Sequence, residues 1–307
     1  MLRQNTKMVK NINLAAMKKL LVTGASGFLG WNLCRSPQKE WDIVGSYHQH
    51  LDGLYPGTKG IQLDLLDANQ VRKTIEEIKP DAVLHLAANS STGFCEKHPE
   101  ISRKINVEAT GILAQYCQAK SIPLVFTSSS QVYDGRQLMY TDATPCNPIN
   151  AYGQQKVTAE KIIQQCFPEA AIARIALLFG HQGPTAYCFM NDWLAKWETG
   201  EEVTVFYDEV RSFLSGNSAV EALLLLLRER VSGVYNVGGA DAMSRYDFAK
   251  LLSKTFGFEN ARIKKMSRLD IPGGDKRPAS LILGNEGMKG LGFKPRLIAE
   301  ELSLLTR

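Results

Sequence analysis

A tyrosine and a lysine stand four residues apart in the segment Tyr152-Gly-Gln-Gln-Lys156. Residues at this spacing share one face of a helix. A phenol with its ordinary pKa of about 10 is a poor acid or base at neutral pH, and a nearby positive charge stabilises the phenolate and lowers that pKa. Tyr152 is therefore predicted to exchange a proton with a substrate. Solvated helix faces often carry the same spacing, so the interpretation depends on the rest of the chain.

Three glycines occur in Gly24-Ala-Ser-Gly27-Phe-Leu-Gly30, directly after the apolar run at 20–23. The first permits a tight turn, the second lets the backbone approach a pyrophosphate, and the third lets the next helix pack on the strand. The N-terminus of that helix offers free N–H groups and a positive dipole to phosphates. A flexible turn would also be rich in glycine, but the position between a strand and a helix predicts a dinucleotide site.

Hydroxyl groups end a predicted strand at 123–128, where the chain continues as Thr-Ser-Ser-Ser-Gln-Val-Tyr-Asp-Gly over 127–135. Serines after a strand commonly satisfy their own backbone in a turn. However, a Thr-Gly-x-x-Gly-x-x-Gly turn, a serine after a central strand and Tyr-x-x-x-Lys, in that order, resemble the extended short-chain dehydrogenases/reductases. Alignment of the family pattern Ser-Ser-x-x-Val-Tyr on Val132-Tyr133 implies that Ser129 is the catalytic hydroxyl, between Ser128 and Ser130.

The resemblance implies a set of cofactor-binding residues at the ends of successive strands. The set consists of Gly24, Ser26, Gly27, Phe28, Leu29 and Gly30 in the turn, Tyr47 and His48 after the second strand, Asp64 and Leu65 at the adenine, Ala87 and Ala88 beneath the nicotinamide-side ribose, Asn106 as a brace for the active-site helix, and Tyr152 and Lys156. Several of these positions would equally suit a helix cap or a packing residue.

The end of the second predicted strand bears on the choice of cofactor. An Asp or Glu there accepts hydrogen bonds from the ribose 2′-hydroxyl of NAD and repels the 2′-phosphate of NADP. The corresponding residues are Ser46, Tyr47 and His48, with no acid and one histidine that can carry positive charge. NADP(H) is therefore favoured over NAD(H), although a histidine after a strand is also common on protein surfaces.

Within the superfamily, the chain resembles in particular the dTDP-4-dehydrorhamnose reductase group, over most of its length after residue 17. The likeness is carried by the segments at 128–135, 150–153, 210–212, 233–239, 244–249 and 277–283. That group usually has Thr-Asp-Tyr where this chain has Ser129-Ser130-Gln131, and its Val-Asp motif is replaced by the segment at 93–96. Both departures face the substrate, so the resemblance implies a reductase of a keto group on a nucleotide-activated sugar without naming the sugar.

In the implied reaction, hydride passes from C4 of NADPH to the carbonyl carbon and Tyr152 donates the proton. Ser129 holds the carbonyl oxygen, and Lys156 binds the nicotinamide ribose and lowers the pKa of the tyrosine. Arg211 and Arg277 are expected to bind a substrate diphosphate bidentately, although surface arginines more often make weak ion pairs. The remaining substrate-binding candidates are Thr92, Ser129 and Asn191.

Two other functions remain open on the sequence. A sugar-nucleotide 4-epimerase would use the same three catalytic residues with a tightly held NAD⁺, but the missing acid at Tyr47 argues against it. Some relatives of these reductases are non-catalytic, NADP-binding regulatory subunits of another enzyme, and the intact Ser-Tyr-Lys set argues against that role. A dehydratase needs Asp-Glu after the catalytic hydroxyl to eliminate water, and Ser130-Gln131 cannot do this.

The elements that must position these residues alternate along the chain. Strands are predicted at 19–23, 42–47, 60–63, 81–86, 123–128 and 171–175, and helices at 28–35, 68–78, 101–118, 151–165 and 191–198. Alternation predicts an α/β fold with a parallel sheet covered on both faces, and the resemblance implies a Rossmann-type doubly wound sheet with a smaller C-terminal substrate-binding lobe. The expected units are a disordered extension at 1–16, an NAD(P)-binding domain at 17–180, and a lobe at 181–307 that returns some segments to the first domain.

Composition limits the partners. The 307 residues are 44% hydrophobic, and the net charge of +5 comes entirely from residues 1–19. We therefore expect no nucleic-acid partner, and the leucine run at 223–227 is too short to span a bilayer, so no membrane partner is expected. Six scattered cysteines without a Cys-x-x-Cys favour free thiols and a cytoplasmic location, and no metal is expected. The expected ligand is a sugar nucleotide, and the assembly is a monomer or a homodimer.

Overall fold

The structure is a computed structural model that describes residues 17–37 and 39–306, and the extension expected at 1–16 lies outside them. Seven parallel strands form the central sheet. They are β1 (Lys18–Thr23), β2 (Trp41–Tyr47), β3 (Lys59–Gln62), β4 (Ala82–His85), β5 (Leu124–Ser129), β6 (Ala171–Ile175) and β11 (Gly233–Val237). Their order across the sheet is β3-β2-β1-β4-β5-β6-β11. Strands buried on both faces need apolar residues at nearly every position, which explains the apolar runs in the sequence.

Helices cover both faces of this sheet. On one face lie α1 (Phe28–Arg35) and α8 (Gly216–Glu229), whose leucines share one apolar cluster with residues of the central strands. The opposite face is covered by α2 (Ala68–Ile78), α5 (Ala109–Ala119) and α6 (Ala151–Cys166). The predicted α/β fold with a doubly wound parallel sheet is therefore confirmed.

The prediction of one continuous helix at 101–118 is wrong in one respect. The chain forms α3 (Thr92–Lys97) and α4 (Pro99–Arg103), then a wide π turn over Lys104–Glu108 before α5 begins. Asn106 lies in that turn with its side chain fully buried and bonded to residues outside the helix. A π turn is often found at functional sites, and an apolar repeat contains no signal for it.

The C-terminal half builds a second, smaller core beside the sheet. Its elements are β7 (Leu178–Phe179), α7 (Phe189–Glu198), β8 (Val203–Phe206), β9 (Val210–Arg211), β10 (Leu214–Ser215), β12 (Met243–Ser244), α9 (Arg245–Thr255), β13 (Ile263–Met266), β14 (Ser280–Leu281), α10 (Glu286–Gly290) and α11 (Ile298–Leu305). Aromatic residues dominate this core, with Phe213 stacked on Phe248 at a ring distance of 4.3 Å. Strand β11 leaves the lobe to complete the central sheet beside β6.

The strand order reverses between β1 and β4, so the chain leaves these neighbouring strands toward opposite faces of the sheet. Open α/β sheets bind their ligands at the carboxyl ends of the strands at such a point. Gly24 follows β1 with a positive φ of 70°, and a Cβ there would lie 2.7 Å from the Cα of Ala87 after β4. Only glycine fits this contact, because it supplies the positive φ and leaves space for the neighbouring backbone.

None of the helices within residues 17–37 and 39–306 is long and apolar enough to cross a membrane. All six cysteines are free thiols, as the sequence predicted, and three of them are buried.

We predict that Gly30→Ala destabilises the fold. An added Cβ would lie 2.5 Å from the carbonyl oxygen of Gly24 and closer still to Ala25. Because both obstacles are backbone, the free energy of unfolding should fall by about 1–3 kcal/mol, the usual cost of overpacking. Urea denaturation measures this change. Gly290→Ala is the matched control, since its Cβ meets no atom within 4 Å; equal stability of the two variants would contradict the prediction.

Candidate active site

The site is built where α6 packs on the end of β5. Lys156 donates a hydrogen bond of 2.8 Å from Nζ to the carbonyl oxygen of Thr127. One residue along the strand, the hydroxyl of Ser128 donates to Glu160. The next residue is Ser129, whose hydroxyl faces Tyr152 closely enough to oppose the rise of the tyrosine pKa. Two adjacent strand residues are thus hydrogen-bonded to α6, and the third faces the tyrosine one turn before Lys156.

The environment of Tyr152 corrects one expectation. Burial raises the pKa of Tyr152 well above its ordinary value, and the hydroxyl of Ser129 opposes this only in part. The amine of Lys156 is directed to the carbonyl of Thr127 and lies 5.9 Å from the centre of the tyrosine ring. The predicted lowering of the tyrosine pKa by the lysine is therefore wrong for this state, because desolvation of the phenolate dominates. At neutral pH the phenol carries its proton.

Lys156 is 2% exposed, which is rare for a lysine. Burial lowers its pKa to about 8, and the carboxylate of Glu160 one turn along the helix opposes that change. Nζ also lies 4.6 Å from the centre of the Phe126 ring, a cation–π contact that partly replaces lost hydration. The ammonium is thus held at one position beside the phenol.

Asn106, predicted as a brace for the active-site helix, is hydrogen-bonded to α6. Its amide nitrogen donates to the side chain of Gln155 at 2.8 Å and to the carbonyl of Asn89 at 3.0 Å. Its oxygen accepts from the backbone N–H of Asn89 at 2.8 Å. One buried amide therefore ties α6 to the segment after β4.

The glycine turn has the shape that a pyrophosphate needs. A Cβ on Gly27 would meet only the carbonyl oxygen of Gly24, at 3.2 Å, and Gly27 is exposed. The turn therefore leaves open space above the N-terminus of α1, where backbone N–H groups face outward. Ser26, Phe28 and Leu29 are half-buried in the same turn. The hydroxyl of Thr185, from the C-terminal half, donates to the carbonyl of Ser26 at 3.2 Å and closes one side.

The predicted adenine end brings together residues from two strands. His48 follows β2 with its side chain 62% exposed, and its Nε2 lies 4.0 Å from a carboxylate oxygen of Asp64. Tyr47, Leu65, Ala87 and Ala88 are half-buried at neighbouring strand ends. No acid follows β2 directly, but Asp64 brings one close to His48 from β3. The negative charge of Asp64 therefore opposes the preference for NADP(H) that the sequence predicted at the end of β2.

At the N-terminus of α6, side chains from distant parts of the chain come into contact, which the sequence did not predict. Asn150 caps the helix by accepting from the N–H of Gly153 at 2.8 Å, and its side chain donates to Gln131 at 2.9 Å. Glu96 from α3 accepts from the N–H of Ala151 at 2.7 Å. Its other oxygen accepts from Lys276 of the C-terminal half at 2.7 Å, and these bonds lower the pKa of Glu96.

The arginine predictions require a correction. Arg211 is 4% exposed, and its guanidinium donates to the carbonyls of Val210, Pro278 and Ala279 at 2.8 to 3.1 Å. It also lies 3.5 Å from Glu209. Its donors are thus used within the lobe, and the prediction that it binds a diphosphate bidentately is wrong.

Arg277 and Arg245 lie on the two sides of one carboxylate, that of Glu209, and substrate binding by Arg277 stays a prediction. Arg277 is one-third exposed and donates from Nε to Glu209 at 2.5 Å, while Nε of Arg245 lies 3.9 Å from the other oxygen of that carboxylate. Arg245 also stacks over Phe189 at 4.6 Å. In the sequence, Arg245 lies within the family segment at 244–249, with no local sign of a partner. Its position beside Glu209 depends on the pairing of β12 with β9, which no local pattern shows.

The two remaining candidates lie apart from these contacts. Thr92 is the first residue of α3, next to the Ser91 cap, and is half-buried. Asn191 lies in the first turn of α7, the helix that also carries Phe189 and Trp193 beneath Arg245.

Comparison with known proteins places the chain in a family. The family model described as RmlD substrate binding domain matches residues 17–305, so the chain belongs to that family and the predicted resemblance is confirmed. The Probable low-salt glycan biosynthesis reductase Agl14 of Haloferax volcanii is 28% identical over 289 residues, which cover 92% of this chain and 96% of that protein. Methionine adenosyltransferase 2 subunit beta of Danio rerio is 24% identical over 283 residues, covering 90% and 85%.

Among solved structures, dTDP-4-dehydrorhamnose reductase of Bacillus anthracis in complex with NADP matches with a TM-score of 0.83. The identity is 23%, and the match covers 94% of this chain and 98% of that one. At this identity the match shows a shared fold.

A buried histidine beneath the site generates a pH prediction. Nδ1 of His85 lies 2.6 Å from the hydroxyl of Thr23, and Nε2 lies 3.0 Å from that of Thr110. Because Thr110 donates to the carbonyl of Asn106, Nε2 must donate and Nδ1 must accept. Burial lowers the pKa of His85 to about 3, with Lys156 adding repulsion.

The unfolded chain therefore takes up a proton on His85 below about pH 6.5 that the folded protein refuses until about pH 3. We expect the free energy of unfolding to fall with falling pH across this range, with His85 contributing at most about 1.4 kcal/mol per pH unit. His85→Gln should reduce the slope in urea titrations at several pH values. His50→Gln, at an exposed histidine, should leave the slope unchanged, and identical slopes for all three proteins would contradict the assignment.

Proposed function

We propose that the protein is an NADP(H)-dependent reductase of a keto group on a nucleotide-activated sugar. The observation that carries this proposal is the grouping of Ser129, Tyr152 and Lys156 where α6 packs on the end of β5, at the same edge of the sheet as the open glycine turn after β1. The family membership and the reductase names of Agl14 and the Bacillus anthracis protein support the same class of reaction.

The chain's own residues account for the movement of the proton. A bound nicotinamide would supply hydride to the substrate carbonyl carbon. The phenol of Tyr152 holds a proton at neutral pH and donates it to the developing alkoxide, and Ser129, which faces the phenol, orients the carbonyl oxygen. The ammonium of Lys156 stabilises the phenolate left behind and offers donors to a ribose. Reduction, with its need for an acid, suits a tyrosine whose pKa is raised.

The cofactor proposal depends on two features of the turn. The space above Gly27 fits a pyrophosphate at the N-terminus of α1, and a side chain there would occupy it. His48 offers a hydrogen-bond donor to a 2′-phosphate, and the acid nearest to it, Asp64, comes from the end of β3 and not from the residues directly after β2. The NADP bound in the Bacillus anthracis relative supports this choice.

The substrate proposal depends on the charge of the C-terminal half. Arg245 and Arg277 flank the single carboxylate of Glu209, so the pair keeps an excess of positive charge. Arg277 is partly exposed, and Tyr187 is 74% exposed. We propose that Arg277 binds a substrate diphosphate, with Arg245 beside it, and that Thr92 and Asn191 lie along the sugar.

We predict that Tyr152→Phe abolishes reduction but not cofactor binding. Fluorescence titration should show tighter binding of NADPH than NADH by the wild type. With dTDP-4-keto-6-deoxy sugars, the loss of NADPH absorbance should be slower in the variant by about 10²- to 10⁴-fold in kcat, the usual contribution of a general acid. The Kd for NADPH should change little.

Tyr116→Phe, on α5 and away from Ser129, is the matched control. Full activity of Tyr152→Phe would refute the assigned acid. Binding of NADH or NADPH without oxidation of the cofactor by any substrate would favour the two alternatives, an NAD-dependent 4-epimerase or a regulatory subunit; one relative is named as a subunit, methionine adenosyltransferase 2 subunit beta. An interconversion of sugar epimers without net oxidation of cofactor distinguishes the first from the second.

We also predict that Arg277→Met raises KM by about 10- to 100-fold with kcat nearly unchanged, because a charge-assisted contact to a phosphate is the same in the ground and transition states. Steady-state kinetics with the same sugar nucleotide measure this split. Arg262→Met, at an arginine 66% exposed and paired with Glu202, is the control. A fall in kcat with KM unchanged would move Arg277 from substrate binding to another role.

A further inference from the structure

We propose that the buried pair Glu160–Arg174 is the positioning unit of the active site, acting through Ser128 and Tyr133 to hold Ser129 against Tyr152 and Lys156. This inference rests on the proposed function, because it assigns roles in the same reaction. Neither Glu160 nor Arg174 touches the reacting atoms, so both are positioning residues.

The pair joins the helix to the sheet. Glu160 is on α6, one turn beyond Lys156 and two beyond Tyr152, and Arg174 is on β6. The carboxylate accepts from Nη2 at 2.7 Å and from Nε at 3.1 and 3.2 Å, a bidentate arrangement. The two side chains are 3% and 7% exposed. A pair so completely desolvated is held in one geometry, since each charge is costly without the other.

The same pair holds both ends of the segment that carries Ser129. On the strand side, the hydroxyl of Ser128 donates to Glu160. After the turn, Nη1 of Arg174 donates to the phenol oxygen of Tyr133 at 2.8 Å. The residues 129–132 lie between these two attachments. Any shift of α6 relative to β5 would therefore break bonds to a buried charge.

Tyr133 is itself fixed, so that the second attachment is rigid. It is fully buried, its ring stacks on Tyr140 at 4.3 Å, and its phenol lies 3.0 Å from the side-chain oxygen of Asn236 on β11. The guanidinium of Arg174 also lies over the Tyr133 ring at 5.3 Å. The turn after Ser129 is thereby attached to the last strand of the sheet.

Glu160 also acts on the charge of Lys156. The carboxylate opposes the effect of burial on the lysine, as described above. Three other titratable groups face the amine: His85 from β4, Cys95 from α3, and Tyr152 from the same helix. His85 is neutral, and burial raises the pKa of Cys95. Glu160 is thus the carboxylate that keeps Lys156 cationic.

A second buried unit of the same chemistry provides the controls. In the C-terminal half, the hydroxyl of Ser218 donates to Glu301, and Nη1 of Arg296 donates to Ser218 at 2.9 Å. Glu301 is 3% exposed, and Ser218 is fully buried. None of their hydrogen bonds reaches Ser129, Tyr152 or Lys156. Ser218→Ala and Glu301→Gln therefore remove the same kinds of bond without touching the site.

The test compares Ser128→Ala and Glu160→Gln with these controls in the full chain. Positional errors on the order of 1 Å cost about 100-fold in rate. We expect kcat to fall about tenfold in Ser128→Ala and about 100-fold in Glu160→Gln, with KM and the Kd for NADPH within about twofold of wild type. Circular dichroism and thermal melting establish that each variant is folded.

A second readout does not depend on turnover. With ¹³Cε-labelled lysine, an NMR titration assigned by Lys156→Met reports the pKa of Lys156. We expect this pKa to fall in Glu160→Gln and to stay at the wild-type value in Glu301→Gln. Ser128→Ala is the milder variant, because it leaves the charge pair intact and keeps the test informative where Glu160→Gln unfolds.

The outcomes separate this inference from the proposed function. If the wild type reduces no keto sugar nucleotide, the proposed reductase is wrong, and the lysine titration alone decides the inference. The inference is overturned if Ser128→Ala keeps its kcat within about twofold of Ser218→Ala, or if the lysine titration is unchanged in folded Glu160→Gln. Parallel losses of activity, NADPH binding and stability would show that the pair has only a structural role. That outcome would also overturn the inference.

Discussion

The structure of the site depends on the polar contact between the end of β5 and α6. Thr127 and Ser128 are hydrogen-bonded to Lys156 and Glu160, and Ser129 faces Tyr152. Buried polar groups are costly when unpaired, so these successive polar contacts permit one register of helix on strand. Apolar packing alone tolerates small shifts, because many arrangements of similar volume have similar energy. The polar bonds therefore define the position of the tyrosine to the accuracy that proton transfer needs.

The same burial sets the protonation states of the two groups that take part in the proposed reaction. A phenol and an ammonium taken from water both favour their neutral forms, which raises the pKa of Tyr152 and lowers that of Lys156. An acid that keeps its proton at neutral pH is suited to protonate an alkoxide, whose affinity for protons is higher still. The lysine contributes when negative charge develops on the phenol oxygen, so its effect is larger in the transition state than in the free enzyme.

The sequence predicts the parts of this arrangement that depend on local spacing. The glycine turn, the hydroxyls after β5 and the Tyr152–Lys156 pair each lie within one strand, turn or helix, and their patterns predict the central sheet and the site at its edge. The contacts of Glu96 with Lys276, and of Glu209 with Arg245 and Arg277, join residues distant in the chain. Those contacts depend on how the C-terminal half packs. Arg211 shows the limit of prediction from sequence most clearly. Its guanidinium donates to backbone carbonyls within the lobe, whereas the sequence predicted that it binds a substrate.

Charged side chains are paired differently in the two halves of the molecule. Around the tyrosine, the buried carboxylate of Glu160 is paired with Arg174, and the buried ammonium of Lys156 is held by a backbone carbonyl. In the C-terminal half, three arginines surround Glu209 and leave positive charge uncompensated. Like charges held together in a poorly solvated place favour binding of an anion, because the anion reduces their repulsion. In the proposed reaction, binding energy gained there on a diphosphate would be available to orient the sugar at the tyrosine, where the fixed geometry would leave little freedom for the reacting carbonyl.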